Sequence, residues 1–107
     1  MSEKRIDIVT ESMFYVLMAF THGEGSGVDA ASFTERITNG RVHLGPATLY
    51  TILGRFVNEG ILEEIRTDGR KHIYRLTDQG RIMYEGEIDR MSLCMNDAER
   101  CRRGSIE

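Results

Sequence analysis

A predicted helix with two unlike faces, followed at once by a short hairpin, is the feature that most limits how this chain can fold. Gly45-Pro46 marks the start of the helix, because proline at the first helical position gives up no hydrogen bond. Gly60, just after Asn58, marks its end. One face is apolar and can pack on a core, and the opposite face is polar and mostly uncharged. The apolar face comprises Leu49, Ile52, Leu53 and Phe56, and the polar face Thr48, Thr51, Arg55 and Asn58.

Two strand-like segments, 61–66 and 71–76, follow this helix and are joined at Asp68-Gly69, a favoured two-residue hairpin turn. Because the turn fixes the register, it also predicts which side chains share a face of the hairpin. The expected pairs are Ile61 with Leu76 and Ile65 with His72, and the expected core side is formed by Ile61, Ile65, Tyr74 and Leu76.

Basic side chains collect on the other side of this hairpin. Residues 1–40 carry three basic and six acidic groups, 41–81 seven and five, and 82–107 four and six, so the middle segment alone is positive. The net charge of -3 excludes a protein that binds nucleic acid through bulk positive charge, but not one with a local basic surface. The basic hairpin residues are Arg66, Arg70, Lys71 and Arg75.

A first helix is predicted from near Thr10, a plausible N-cap, to about Thr21, with Glu11 in its first turn. Apolar side chains cover most of its circumference, which indicates burial on more than one side. A subunit interface and a position in the centre of the core explain this pattern equally well.

A glycine-rich run, 22–27, separates that helix from a second, shorter one. The run lacks the Lys-Ser/Thr ending of a phosphate-binding loop and matches no dinucleotide-binding fingerprint, so we interpret it as a flexible connector. The second helix is expected from about Asp29, a possible N-cap, to Thr38, with Asn39-Gly40 ending it.

The last predicted helix begins near Thr77-Asp78 and extends to about Arg103. Its apolar residues are spaced four, three, four and three apart, a heptad seam two heptads long. It is either an amphipathic helix on the chain's own core or a helix that pairs with a second chain. Because a helix added to a complete small domain has little core left to cover, we favour a homodimer. The seam, and so the expected dimer interface, is Tyr84, Ile88, Met91, Met95 and Ala98.

Metal, catalytic and membrane functions find little support in the sequence. The three histidines are scattered, no Cys-x-x-Cys motif occurs, and neither a serine elbow nor paired carboxylates in apolar surroundings indicate an enzyme. We therefore expect no metal, no cofactor and no catalytic residue. The longest apolar run, 13–20, has eight residues, whereas a membrane span needs about 20. A cytoplasmic location is expected.

The two cysteines, Cys94 and Cys101, lie seven residues apart in one predicted helix. Their separation of about 10 Å along the helix axis is too long for a disulfide within the chain. We interpret them as small, buried, reduced side chains, with a bridge between two chains or a redox sensor as the alternatives.

Three helices followed by a two-stranded hairpin is the element order of a winged helix-turn-helix. The expected fold class is therefore α+β, mostly helical, with a DNA-binding domain, 1–76, and a C-terminal dimerisation helix with its tail, 77–107. In such a fold the recognition helix, about 46–58, enters the major groove of double-stranded DNA, and the wing, about 61–76, contacts the phosphate backbone. The alternative is a winged-helix module that binds protein, although such a wing has no need of four basic residues together.

Three ordered blocks of the sequence resemble the PadR family of transcriptional regulators. Residues 44–62, LGPATLYTILGRFVNEGIL, resemble the family's recognition-helix segment. Residues 70–80, RKHIYRLTDQG, resemble its second wing strand and the entry to its final helix, and residues 10–20 resemble its first helix. The resemblance implies a bacterial, dimeric, repressor-like protein whose C-terminal helix supplies most of the dimer contact.

Carried over by position, the resemblance implies that Thr48, Tyr50 and Thr51 on the recognition helix contact DNA. Tyr50 lies beside the buried stripe, where its hydroxyl can reach a phosphate; packing at the domain edge is the alternative. Arg55 is either a contact to phosphate or guanine or a solvated surface arginine. His43, just before the helix, is either a donor to phosphate or a loop residue without a role.

The sequence departs from the family pattern in two respects. The predicted wing has only a two-residue turn, so its tip reaches less far toward a phosphate backbone. Some family members bind a small aromatic effector at the dimer interface, often through a tryptophan, and this chain has no tryptophan. A small aromatic effector therefore stays open as a partner.

Overall fold

The computed structural model describes residues 6–104, which form four helices and one antiparallel sheet of three strands in the order β1-β3-β2. The expected α+β, mostly helical winged-helix architecture with a long C-terminal helix is confirmed. In chain order the elements are α1 (Glu11–Ala19), β1 (Gly25–Ser26), α2 (Gly27–Ile37), α3 (Pro46–Asn58), β2 (Leu62–Asp68), β3 (Lys71–Leu76) and α4 (Asp78–Arg102).

The first helix, α1, lies in the centre of the core. Thr10 caps it as predicted, and its Oγ1 accepts a hydrogen bond from the Met13 amide at 3.2 Å. Val16 and Leu17 are fully buried, and α1 packs against both α2 and α4. The nearly continuous apolar surface of this helix is therefore covered largely within the chain.

The interpretation of the glycine-rich run as a plain connector is wrong at its end. Gly25–Ser26 forms β1, which pairs with β3. Asp29 is not the N-cap of α2, because Ser26 takes that position: its Oγ accepts from the Asp29 amide at 3.1 Å. The Asp29 carboxylate accepts in return from the Ser26 amide at 2.9 Å, which completes a capping box. The helix consequently starts at Gly27.

The third helix, α3, has the predicted bounds and the predicted buried face. It ends in a Schellman motif at Gly60, whose φ of 76° favours glycine. The Ile61 amide donates to the Phe56 carbonyl at 2.8 Å, and the Gly60 amide donates to the Val57 carbonyl at 3.2 Å. The buried residues of α3 are Leu49, Ile52, Leu53 and Phe56.

The predicted hairpin turn is wrong by one residue. Gly69, with a φ of 62°, and Arg70 form the two-residue turn, and Asp68 pairs with Lys71. Among described residues other than glycine, only Asn39 has a positive φ. Gly69 therefore occupies the first central position of a type II′ turn, whereas the prediction placed it second, in a type I′ turn.

A β-bulge at Ile65 changes the register a second time. Glu64 pairs with Tyr74, but Arg66 pairs with the next residue of β3, Ile73, so Ile65 has no partner of its own. Both changes overturn the expected pairs. Leu62 rather than Ile61 faces Leu76, and Thr67 rather than Ile65 faces His72.

The start of α4 is fastened to the end of α3. The Thr77 hydroxyl donates to the Gly60 carbonyl at 2.6 Å and accepts from the Gly80 amide at 3.0 Å, while the Thr77 amide donates to the Ile61 carbonyl at 3.1 Å. A Cβ atom on Gly80 would overlap the Ile61 carbonyl oxygen and lie 2.6 Å from Leu76 Cδ1. Only glycine permits this close approach.

The described part of α4 extends beyond the rest of the domain. The helix has 25 residues, of which only Gly80 and Glu87 are buried, and the described chain measures 59 Å along its longest axis. None of the helices in residues 6–104 is long and apolar enough to cross a membrane.

Gly80→Ala is expected to lower the free energy of unfolding by about 1–3 kcal/mol, because the added methyl group forces α4 away from Ile61. Gly86→Ala is the matched control on the same helix, since nothing lies within 4 Å of its Cβ position. The control is expected to stabilise the protein by about 0.5–1 kcal/mol. Urea unfolding at one fixed protein concentration measures both. Equal effects of the two substitutions would contradict the close approach.

Candidate nucleic-acid interface

The outward face of α3 is formed by small and polar residues. Ala47, Thr51, Gly54 and Asn58 are spaced four, three and four apart, so they lie on one face, and all four are exposed. Thr51 and Asn58 belong to the predicted polar face, but Ala47 and Gly54 escaped the sequence analysis. The missed signal was Gly54, since a glycine inside a helix costs about 1 kcal/mol relative to alanine. Nothing lies within 4 Å of its Cβ position, so packing does not require glycine there.

Hydroxyl groups from two helices line one flank of this face. Thr48 and Thr51 of α3 share a shallow groove with Thr10 and Ser12 at the start of α1. Thr48 and Thr51 are both exposed, as the sequence predicted. This flank presents donors and acceptors without formal charge.

Arg55 is held at the edge of α3 by an ion pair. Its Nε lies 3.3 Å from Oε2 of Glu59, and its side chain is only 29% exposed. The other Glu59 oxygen accepts from the Ile6 amide at 2.8 Å. Glu59 therefore joins Arg55 to the segment that precedes α1.

His43 lies before α3, as predicted, and its side chain is exposed. The His43 Nδ1 atom lies 3.1 Å from Oε2 of Glu35 on α2. This contact holds the imidazole against α2.

Two of the four predicted basic residues of the wing are neutralised by carboxylates. Arg66 lies 2.6 Å from Glu24 and 3.2 Å from Asp68. Arg75 on β3 lies 2.6 Å from Glu63 on the neighbouring strand. These carboxylates reduce the positive charge along the length of the hairpin.

The other two basic residues, Arg70 and Lys71, lie at the turn and the start of β3. Both are exposed, and neither forms an ion pair with another residue in the 6–104 range. Next to them, His72 Nδ1 lies 2.8 Å from Glu64, and this hydrogen bond lowers the pKa of the Glu64 carboxyl. The positive charge of the wing that no ion pair neutralises is therefore concentrated at its tip, although Lys71 also attracts the Asp29 carboxylate.

A small cleft joins the wing to α2 and α3. Pairing of Gly25 with Tyr74 brings the start of α2 against β3. Gly27 permits close packing on α3, because a Cβ there would lie 2.8 Å from Leu53 Cδ1 and 3.5 Å from Tyr50 Cε1. We call this space, of about 140 Å³, the wing-base cleft. It is lined by Ser26, Gly27, Val28, Tyr50, Arg70, Lys71, His72 and Tyr74.

The heptad seam of α4 is divided between two environments. Tyr84 stacks on Phe14 of α1, with ring centroids 5.3 Å apart and an interplanar angle of 22°. Met91 is half-buried and shares a groove with α1, whereas Met95 is 71% exposed and Ala98 is also exposed. The chain's own α1 thus partly covers the first half of the seam, and the second half is open.

The expectation that both cysteines are buried is wrong, because they lie on exposed faces of the part of α4 that projects beyond the domain. Cys94 and Cys101 are exposed free thiols, and Arg90 approaches the Cys94 sulfur at 3.8 Å. Within residues 6–104 no group of histidine, cysteine and carboxylate side chains could hold a metal ion.

A comparison with models of protein families identifies one match. The model described as the transcriptional regulator PadR-like family matches residues 16–85, which include α2, α3 and the complete hairpin. No curated protein matches the chain.

Several solved structures have the same fold. A transcriptional regulator from Clostridium thermocellum is 18% identical with a TM-score of 0.74, and the match covers 81% of this chain and 88% of that one. H. salinarum RosR is 24% identical with a TM-score of 0.69, covering 92% and 88%. Bacillus subtilis PadR in complex with operator DNA is 23% identical with a TM-score of 0.62, covering 70% of this chain and 45% of that one.

Proposed function

The chain belongs to the PadR-like family of transcriptional regulators, and we propose that it is a homodimeric repressor that binds double-stranded operator DNA in the cytoplasm. The observation that carries this proposal is that the exposed Tyr50 of α3 lines the same cleft as Arg70 and Lys71 of the wing, which form no ion pair with any residue from 6 to 104. The structural similarity to Bacillus subtilis PadR in complex with operator DNA supports it.

We assign the choice of DNA sequence to α3. The exposed residues Thr48 and Thr51 offer hydroxyl groups to base edges. The small residues Ala47 and Gly54 beside them let the helix approach the floor of the major groove. Tyr50, which is 55% exposed, lies toward the wing and contacts the phosphate backbone.

We assign the sequence-independent part of the affinity to the wing. Arg70 and Lys71 contribute most of it, because Arg66 and Arg75 must first exchange a carboxylate for a phosphate. Surface ion pairs contribute only about 0–1 kcal/mol, so this exchange costs little when DNA approaches. The DNA-binding domain is accordingly 1–76, and 77–107 forms the dimerisation segment.

The dimer follows from the open half of the α4 seam. Met95 and Ala98 are exposed although they continue the row that begins at Tyr84. When α4 pairs with the α4 of a second copy, the exposed seam residues of both chains become buried. The same pairing sets the two recognition helices about 34 Å apart, which is one turn of DNA.

Replacing Arg70 and Lys71 together by alanine is expected to weaken binding to operator and random DNA alike. The log-log salt dependence should flatten by about 0.9 for each phosphate that the wing no longer neutralises. The matched control replaces Arg100 and Arg102, which removes the same charge at the far end of α4. A salt titration on both DNAs measures the slopes, and weaker binding to operator DNA alone would contradict the assignment.

Gly54→Ala is expected to raise stability by about 0.5–1 kcal/mol and to weaken operator binding by roughly 1–3 kcal/mol relative to random DNA. The added methyl group projects from the centre of the face that approaches the bases. Gly86→Ala is the control, because it gains the same helix propensity away from that face. Operator binding that is unchanged in the Gly54 variant would show that DNA does not approach α3 closely there.

Met95→Glu is expected to convert the protein to a monomer, because it places a charge in the open half of the seam. Leu93→Glu is the matched control: Leu93 is 65% exposed on the same helix, two residues away and so on the opposite side. Met91 suits this test less well, because it is half-buried near α1. Light scattering distinguishes the 12.2 kDa chain from twice that mass. A monomeric unmodified protein at micromolar concentration would refute the dimer.

A further inference from the structure

We propose that the wing-base cleft is a binding site for one phosphate group of the DNA backbone, and that the hydroxyl of Tyr74 is a donor to that phosphate. The inference rests on the proposed binding of DNA, and it adds a residue that belongs to neither the recognition helix surface nor the basic wing tip.

The charge of the cleft suits an anion. Its lining includes Arg70, Lys71 and His72 but no carboxylate. The larger groove beside β2, in contrast, is lined by three carboxylates and one arginine, namely Glu63, Glu64, Asp78 and Arg75. Two carboxylates lie near the cleft without lining it: Asp29, which attracts Lys71 and accepts from the Ser26 amide, and Glu64, which is paired with His72.

Tyr74 supplies a polar group to the lining of the cleft. Only 8% of the residue is exposed, and its ring packs edge-on against Phe20 with centroids 6.2 Å apart. Its hydroxyl makes no hydrogen bond to any residue from 6 to 104, although Tyr74 lines the cleft. Burial raises the pKa of this phenol, so the hydroxyl keeps its proton and can donate.

The start of α2 supplies further donors. The first amides of a helix have no partner inside the helix, and the N-terminus attracts anions. The capping box uses the Asp29 amide, and Gly27 and Val28, the first two residues of the helix, line the cleft. Gly27 adds no side chain to obstruct a ligand.

The size of the cleft limits its occupant. Its volume of about 140 Å³ is that of a few water molecules, each of which occupies about 30 Å³. Sites for drug-sized molecules measure about 300–1,000 Å³. A phosphate group is small enough for this cleft. Because Tyr50 of α3 forms one wall, a phosphate here lies next to the proposed recognition helix.

The experiment compares Tyr74→Phe with the unmodified full chain on a duplex of random sequence. The variant keeps the ring and its packing on Phe20, so its thermal unfolding is expected to match that of the unmodified protein. Affinity should fall about tenfold, because the variant cannot donate a hydrogen bond to the charged phosphate. The salt slope should stay unchanged, since no charge is removed. Tyr15→Phe is the control, because its hydroxyl lies on α1 and accepts from Arg41.

A second set of duplexes identifies the phosphate, with one neutral methylphosphonate placed at each position in turn. One replacement per half-site should weaken binding of the unmodified protein strongly and binding of Tyr74→Phe much less. Equal losses in both proteins at every position, or an unchanged affinity of the variant, would overturn the proposal while leaving DNA binding intact.

A titration with inorganic phosphate distinguishes a phosphate of the DNA backbone from a free phosphorylated ligand. If the unmodified protein binds no duplex, the proposed function fails. In that case the amide resonances of Gly27 and Val28 are followed while inorganic phosphate is added. A shift of these resonances would overturn the assignment to DNA and indicate a free phosphorylated ligand. If the unmodified protein binds the duplex, the duplex should also reverse the shifts that inorganic phosphate causes in these resonances. Such reversal in the unmodified protein but not in Tyr74→Phe supports the assignment to the DNA backbone.

Discussion

The contact between Gly80 and the Ile61 carbonyl determines how the two functional halves of this chain are related. Thr77 strengthens it by donating to Gly60 and capping α4. The recognition helix ends at this point and the proposed dimerisation helix begins at it, so no flexible linker separates them. A dimer built through α4 therefore holds the two α3 helices at a fixed separation. Fixed separation is what a protein needs to read two half-sites one helical turn apart.

Carboxylates control how much positive charge the wing presents. Glu63 and Glu24 hold Arg75 and Arg66, and the chain as a whole is acidic. A free protein of this kind is attracted weakly to arbitrary DNA, because long-range attraction follows net charge. In the proposed complex, binding becomes strong only when the tip residues and the α3 face engage together. The ion pairs thus favour selectivity at the expense of general affinity.

Local signals in the sequence predicted most of the fold, and tertiary pairing explains the errors. The bounds and the buried face of α3 follow from Pro46, Gly60 and helical spacing, which act within a few residues. The two-residue strand β1 has no local signal, because it exists only through β3. The turn was misplaced because Gly69 suits either central position of a primed turn. The exposed face of α3 was predicted in part: the polar pattern identified Thr51, but it could not identify Gly54, which has no side chain.

The glycine-rich run connects the core with the proposed phosphate site. β1 brings the capped start of α2 to β3, and Gly27 lets α2 pack closely against Leu53 and Tyr50. Tyr74 belongs to the core through Phe20 and to the wing-base cleft through its hydroxyl. Core packing therefore positions the cleft rigidly, whereas the wing tip depends on exposed side chains that lose conformational freedom on binding. A rigid set of hydrogen-bond donors at the base of the wing can orient the DNA backbone. The wing tip then adds positive charge and does not have to define the register of the DNA.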